Sequence, residues 1–528
     1  MKAFADLLER LLFSPGRNTK IALLHAYFAA RPDPERGYAL ATIAGALDFP
    51  GAKPAALRVM AEARTDPELF ALSYDFVGDL AETIALIWPG RARPNTVSDA
   101  SPELPEIIAA LRTAKRDAIP GLVAGWLDAS DTSTRIALIK LITGGGGLRV
   151  GASLRLAKLA LAELGQVDVN DIEEIWHSLE PPYLDLFDWL EHRTARPSPE
   201  EKPVFRPVML AHPIEAKELS ALDWSAHRAE WKWDGIRVQL VATPHGKRIY
   251  SRTADDISHA FPEILDAMHF HAVLDGELLV IRDGIVAPFS DLQQRLNRKT
   301  VSAAMLKEFP AGIRLYDILF DGAHDLRGLT FDERRQRLEV FYASEHPLRM
   351  DLSPLIPFEI HHELTALREG AREAAIEGLM IKRGDSPYLS GRPKGLWWKW
   401  KREPLSVDAV LMYAQRGHGK RSSYYSDYTF GVWNEEGELV PIGKAYSGYT
   451  DAELAFLDKW IRNHTLARFG PVREVAKEIV FEVGFDAAQK SGRHKSGVAL
   501  RFPRILRIRT DKPASEADRL ESVKALIA

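Results

Sequence analysis

The sequence predicts a multidomain chain with an all-α N-terminal region, an α+β middle region with antiparallel sheets, and a C-terminal β-barrel. Three changes of pattern predict it. Over residues 1 to about 195, apolar residues recur at i, i+3 and i+4, the spacing of helices that each bury one stripe. From about 205 to 403 the period falls to two, and strand-like runs alternate with short helical stretches. Beyond 404 the period-two runs dominate again. At 528 residues the chain has length for about three domains.

In the first region "FADLLERLL", "KIALLHAYFAA", "LPEIIAALRTAKRDAI" and "LRLAKLALAELGQ" each read as a helix, with Gly and Pro punctuating between them. The segment "HRTARPSPEEKPVFRP" is rich in Pro and charge and reads as a linker. Expected boundaries are 1–200, 201–403 and 404–528. In the middle region the strands are "EWKWDGIRVQLVA", "RIYSRT", "AVLDGELLVI", "IRLYDILF", "EGLMIKR" and "LWWKWKR". Turn signals at His245-Gly246 and Asp283-Gly284 separate some of them. "FPEILDAMHF", "SDLQQRLNR" and "DERRQRLEVFYAS" read as helices. In the last region "SVDAVLMYA", "DYTFGVWN", "LVPIGKAYSG" and "EIVFEVGFD" would build a small barrel, with "DAELAFLDKWIRNHTLARFG" as an inserted helix.

The net charge of −4 gives no global basic field, but charge is uneven: Lys490 to Lys512 holds eight Lys and Arg against one acid. No run of about 18 apolar residues exists, so no membrane span is expected. The N-terminus "MKAFADLLERLLFSPGR" interleaves acids with apolar residues and does not read as a signal peptide. The absence of cysteine excludes disulfides and thiolate zinc sites and fits a cytoplasmic setting.

The segment "AEWKWDGIRVQL" places Lys232 inside a run that otherwise reads as half-buried strand. A buried lysine is costly unless its charge is paired or shed. A lysine whose pKa is lowered by burial and neighbouring cations becomes a nucleophile. The alternative is a lysine that snorkels from a strand end.

"EWKWDGIR" resembles the K-x-D-G-x-R motif of covalent nucleotidyltransferases, a superfamily of ATP-dependent DNA ligases, RNA ligases and capping enzymes. Further segments similar to that superfamily's motifs follow in order. They are "SRTADDISHAFPEI" with Arg252, "LDGELLV" with Glu277, "LYDILFDG" with Tyr316 and Phe320, "EGLMIKR" with Glu377 and Lys382, "LWWKWKR" with Lys399 and Lys401, and "RFPRILRIRTDK" with Arg509, Asp511 and Lys512. The resemblance implies that Lys232 attacks the α-phosphate of ATP. It implies Glu230 beside the adenine, Tyr316 stacked on it, Arg237 and Glu277 at the ribose and phosphate side, and Arg252 among the nucleotide contacts. Lys399 and Lys401 would offset phosphate charge. Glu377, with Glu277, would hold Mg²⁺ or Mn²⁺. Arg509 and Lys512 would orient pyrophosphate, or else contact DNA or form a solvated tail. Glu277 also reads as a hairpin end, Phe320 as core, and Asp234 as the residue that fixes the turn at Gly235. Arg392 stands near a variable phosphate-contacting arginine of the superfamily, but Pro393 follows it.

"LITGGGGLRVGASLRLAKLALAEL" and "FSPGRNTKIALLHAYFA" resemble the glycine-containing hairpin and first helices of the DNA-binding domain in bacterial three-domain ATP-dependent DNA ligases. Gly144 to Gly147 also read as a plain inter-helix loop. The resemblance implies a C-terminal OB-fold, with "GHGKRSSYYSDYTFGVW" as a DNA-facing or solvated hairpin. It implies a monomer that seals nicked double-stranded DNA, free of membranes and associated with the nucleoid. An RNA end-sealing or capping transferase, and a DNA-binding scaffold on an inactive fold, remain alternatives. Residues 1–200 carry 21 Lys and Arg against 27 Asp and Glu, a net of −6, so their DNA contact must use a local basic face. All the nucleotide motifs lie beyond the linker. Deleting residues 1–200 should therefore weaken nick binding in a gel-shift assay while leaving the ATP-derived protein adduct intact. Loss of the adduct in a folded truncation would contradict this.

Overall fold

The computed structural model describes every residue except 78, 90–101, 145–147, 149–150, 199–201, 297, 299, 371–374, 418–423, 493 and 528. It divides into two bodies, Met1–Pro207 and Val208–Ala528.

The first body is helical among its described residues. Its core draws Phe4, Leu8 and Leu11 from helix Lys2–Phe13, Leu24 and Phe28 from Arg17–Ala30, and Leu161 from Leu154–Gly165. The stretch expected as one helix, "LPEIIAALRTAKRDAI", forms a helix only over Leu104–Thr113, and a second begins at Ile119. Pro120 sits in the first turn of that second helix. Inside a continuous helix it would lose a backbone hydrogen bond and clash with the preceding turn, but in the first turn of a new helix it is tolerated. Gly144 caps helix Thr132–Thr143, and Ser153 caps Leu154–Gly165 by accepting from Leu156 N. Gly145 to Gly147, like residues 418–423 of the expected DNA-facing hairpin, lie outside the described residues.

In the second body, "EWKWDGIRVQLVA" is two strands rather than one, β1 (His227–Trp233) and β2 (Ile236–Thr243). They enter different sheets. A Cβ on Gly235 would lie 2.5 Å from the Leu278 carbonyl oxygen, so the crossing between sheets requires glycine there. β1 joins β5 (Ile376–Arg383) and β6 (Trp397–Lys401) in a five-stranded sheet with the short strands His212–Pro213 and Leu355–Ile356. β2 joins β3 (Ala272–Arg282) and β4 (Ala311–Asp321) at the centre of a seven-stranded sheet.

Register then sets one face of the smaller sheet. Lys232 pairs with Gly378 and Gly378 with Lys401; Glu230 pairs with Met380 and Met380 with Lys399; Lys382 pairs with Trp397. Strict alternation would put Glu377 on the opposite face, beside Leu379 and Ile381 in the core. A register shift between Ile376 and Gly378 intervenes, and Glu377 reaches Lys232 instead. In the larger sheet Arg237 faces Glu277. A second irregularity, between Asp275 and Gly276, leaves Tyr316 as the extra residue of β4.

The C-terminal segment is a seven-stranded antiparallel sheet built on β7 (Leu405–Arg416). One edge of β7 carries β8 (Tyr425–Trp433). Its other edge carries β9 (Val480–Phe485) and then Val472–Val475, and β10 (Arg504–Ile508) lies beyond β9. "DAELAFLDKWIRNHTLARFG" is helical only over Asp451–Asn463. Thr465–Phe469 turns at Gly470, φ 56°, to pair with Val472–Val475.

At Gly378 φ is 149°, and a Cβ would collide with the Trp400 carbonyl oxygen. Gly378→Ala should therefore distort the bulge that turns Glu377. We expect a melting temperature lower by several degrees, from about 1–3 kcal/mol of strain, together with at least a tenfold slower adduct formation. Wild-type values for both would show that the bulge tolerates a side chain.

Candidate active site

A cavity of about 440 Å³ opens between the faces just described. β1 contributes Glu230 and Lys232, β5 contributes Glu377, Met380 and Lys382, and β6 contributes Trp397, Lys399 and Lys401. Arg237, Glu277 and Tyr316 come from the larger sheet, with Arg252 from the loop after Gly246–Ser251. Of the residues expected to contact nucleotide or metal, Arg509 and Lys512 are not in its wall. Both pair with Asp408 at 2.8 Å, and Arg509 also pairs with Asp511. The same C-terminal segment reaches the cavity through Arg501 and Phe502 instead. Phe320 stays outside it, with Arg327 over its ring.

Lys232 Nζ is ion-paired to Glu377. Lys401 lies 3.5 Å from the same carboxylate and 3.2 Å from Asp486. Arg501 pairs with Asp234 and stands 4.0 Å from Glu377. Burial pushes the Glu377 carboxyl up, but Lys232 and Lys401 outweigh it and hold it at about 2. Glu277 behaves oppositely. Burial, reinforced by Glu377 and Asp234, raises it to about 8 against the pull of Lys232 and Arg237. Lys399 is lowered by burial and then by Arg392, Lys232, Lys401 and Arg252. The site thus holds one carboxylate that stays charged, one that is readily protonated, and a crowd of cations.

Arg237 is fixed from behind. It donates to Met209 O at 2.6 Å, Asp275 at 2.6 Å and the Tyr388 hydroxyl at 2.9 Å. Its buried Nε has no hydrogen-bond partner among the described residues. Asp275 and Tyr388 are positioning groups that the sequence reading missed; the Asp of "LDGEL" was their one legible signal. Arg501 was hidden differently. It was one of eight cations between Lys490 and Lys512, and sequence alone does not rank them.

Two sheets meeting at a half-buried lysine, with a helical region before them and a sheet domain after, define a multidomain nucleotidyltransferase. Residues 208–401 match the family model described as ATP dependent DNA ligase domain, and residues 421–512 match the ATP dependent DNA ligase C terminal region. A "Probable DNA ligase" of Koribacter versatilis is 42% identical over 349 residues, 61% of this chain and 60% of that protein. "DNA ligase 1" of Korarchaeum cryptofilum is 30% identical over 544 residues, covering all of this chain and 98% of that one. A solved chain described as Pmar-Lig_PreS3 shares the fold at a TM-score of 0.59, with 17% identity over 96% of this chain and 99% of that one. The chain belongs to the ATP-dependent DNA ligase family, whose general mechanism is nick sealing through an adenylate intermediate.

The raised Glu277 carboxyl favours the protonated folded state between its ordinary value and about 8. Its stabilising contribution is complete below about 4.5 and is lost as pH rises through about 8. Glu277→Gln should flatten that part of the profile, so the ligand-free variant gains on the parent in melting temperature from pH 5 to pH 9. Parallel curves would show that Glu277 titrates normally.

Proposed function

We propose that this chain is a nick-sealing ATP-dependent DNA ligase in which Lys232 carries the AMP. The observation that supports this most is one row of the small sheet, Lys232, Gly378 and Lys401, with Glu377 turned into it. The Lys232 amine attacks the α-phosphate, pyrophosphate leaves, and a phosphoramide forms. AMP then passes to the 5′-phosphate of a nick, and the 3′-hydroxyl displaces it to close the strand. Glu377, held at about 2, is a poor acceptor for the Lys232 proton. Its part is to fix the amine until nucleotide and metal compete for the carboxylate.

Among the described residues no three His, Cys, Asp or Glu side chains converge as a metal cluster. Glu377 and Glu277 nonetheless fit a hard ion whose shell is completed by phosphate oxygens. Asp234, Glu277 and Glu377 interact closely enough to shift one another's titration, and Asp234 Oδ1 is buried without a hydrogen-bond partner. Mg²⁺ or Mn²⁺ held there would neutralise charge building on the phosphate. Arg237, through its free Nε, and Glu277 serve the ribose and phosphate side. Arg252, Lys399 and Lys401 face the phosphates, Tyr316 stacks on the base, and Glu230 lies at its edge. Arg509 and Lys512 act on pyrophosphate after exchanging Asp408 for it.

The working divisions are residues 1–200 as the DNA grip, 201–403 for adenylation and 404–528 as the OB-fold. The family models matched at 208–401 and 421–512 support the last two. The partner is nicked duplex DNA and the working form a cytoplasmic, nucleoid-associated monomer. No helix among the described residues is long and apolar enough to cross a membrane.

The test is labelled ATP followed by nicked DNA or nicked RNA. The parent should form an adduct that nicked DNA discharges into sealed product, and Lys232→Ala should form none. An adduct in that variant, or sealing of RNA alone, would overturn the reading.

A further inference from the structure

Residues 208–213 open the second body, and they are tied to both walls of the cavity. Towards the larger sheet, the Met209 carbonyl accepts from Arg237 Nη1 at 2.6 Å. Towards the smaller sheet, the tie is to Gly391, in the connection from β5 to β6. Leu210 N donates to Gly391 O at 2.6 Å, and Gly391 N donates to Val208 O at 3.0 Å. His212 and Pro213 then pair in parallel with Trp398 and Lys399 of β6, and Ile214 N donates to Lys399 O at 3.2 Å. Leu210 and Ala211 line the cavity themselves.

Met209 is the fixed point of this strap. It is fully buried, its Sδ accepts from Leu389 N at 3.4 Å, and its backbone bridges to Gly391. Arg237, which lines the cavity, gains from such a point. Asp275 and the Tyr388 hydroxyl both hold its Nη2. Contacts on one nitrogen leave a planar guanidinium free to pivot about it. A second anchor on Nη1 sets the plane, because the donors form a rigid fork. The anchor sits on backbone that is itself held, so it does not yield when a ligand draws on Arg237.

We infer that residues 208–213 are a positioning strap for nucleotide binding, with Met209 as its positioning residue. The Met209 carbonyl sets the plane of Arg237, and the pairing along β6 steadies the backbone that carries Lys399. The nucleotide then meets cations from both walls in fixed places. Met209 acts through Arg237 and touches no reacting atom. Its contribution is a main-chain carbonyl, so no residue type in the sequence marks it. The inference rests on the nucleotide-binding reading given above.

The experiment changes the backbone and leaves every side chain in place. In the full-length chain, the α-hydroxy acid analogue of Leu210 puts an ester between residues 209 and 210, which weakens the Met209 carbonyl as an acceptor. A second ester, between residues 208 and 209, weakens Val208 O and leaves the Met209 carbonyl an amide. Each loosens the tie to Gly391, but only the first touches the acceptor of Arg237. Adduct formation from ATP is measured, with the ligand-free melting temperature as the check on folding. The first ester should raise KM for ATP about tenfold with little change in kcat, and the second should raise it less than about twofold. Arg237→Lys keeps the charge but has no fork to span Met209 O and Asp275, so it should bind ATP as poorly as Arg237→Met. Adding the first ester to Arg237→Met should raise KM far less than it does in the parent, because both changes remove one contact. An unchanged KM with the first ester, an equal rise with both esters, or a parental KM in Arg237→Lys overturns the proposal alone. Absence of any adduct in the parent overturns the nucleotide reading and this proposal together.

Discussion

The contact between Lys232 and Glu377 is the constraint around which the second body is arranged. The two residues are 145 positions apart and lie on neighbouring antiparallel strands. Plain alternation would leave them on opposite faces of that sheet. One bulge, made possible by Gly378 lying against the Trp400 carbonyl, brings them onto the same face. The break at Asp234-Gly235 then carries the chain directly from Lys232 into the second sheet, whose Arg237, Glu277 and Tyr316 close the opposite wall.

So many charges in one partly buried place would repel unless each were held. Behind the cavity wall the structure supplies fixed ion pairs. Arg334 meets Asp317 with two hydrogen bonds of 2.8 and 3.0 Å, and Arg237 is anchored on Asp275. Buried pairs of this kind add little net stability, but losing one partner leaves an uncompensated charge. Their effect here is geometric. In the cavity wall the cations Lys232 and Lys401 hold Glu377 at about 2, while burial pushes Glu277 up to about 8. The difference follows from burial, which wins at Glu277 and is outweighed at Glu377 by its paired lysines.

The C-terminal segment takes part through Arg501, which ends a strand outside the seven-stranded sheet and pairs with Asp234 beside Gly235, and through Asp486, which pairs with Lys401. These contacts tie β6 and the β1–β2 crossing to a segment more than 80 residues further along the chain. They also engage Lys401 and Asp234, two charges of the proposed site.

The sequence by itself determined the region types, the order of the family's motifs and the placing of Lys232 in a half-buried strand, because hydrophobic period and short motifs are local properties. The start of the helix Ile119–Asp128 is also written locally, in Pro120. Tertiary structure alone decided that Glu377 faces Lys232, that Asp275 and Tyr388 hold Arg237, that Lys382 pairs with Glu230, and that Arg501 rather than Arg509 or Lys512 stands at the cavity. Each of those depends on register between strands far apart in the chain. A shift of one residue moves a side chain to the other face, and no local pattern records which register the sheets adopt.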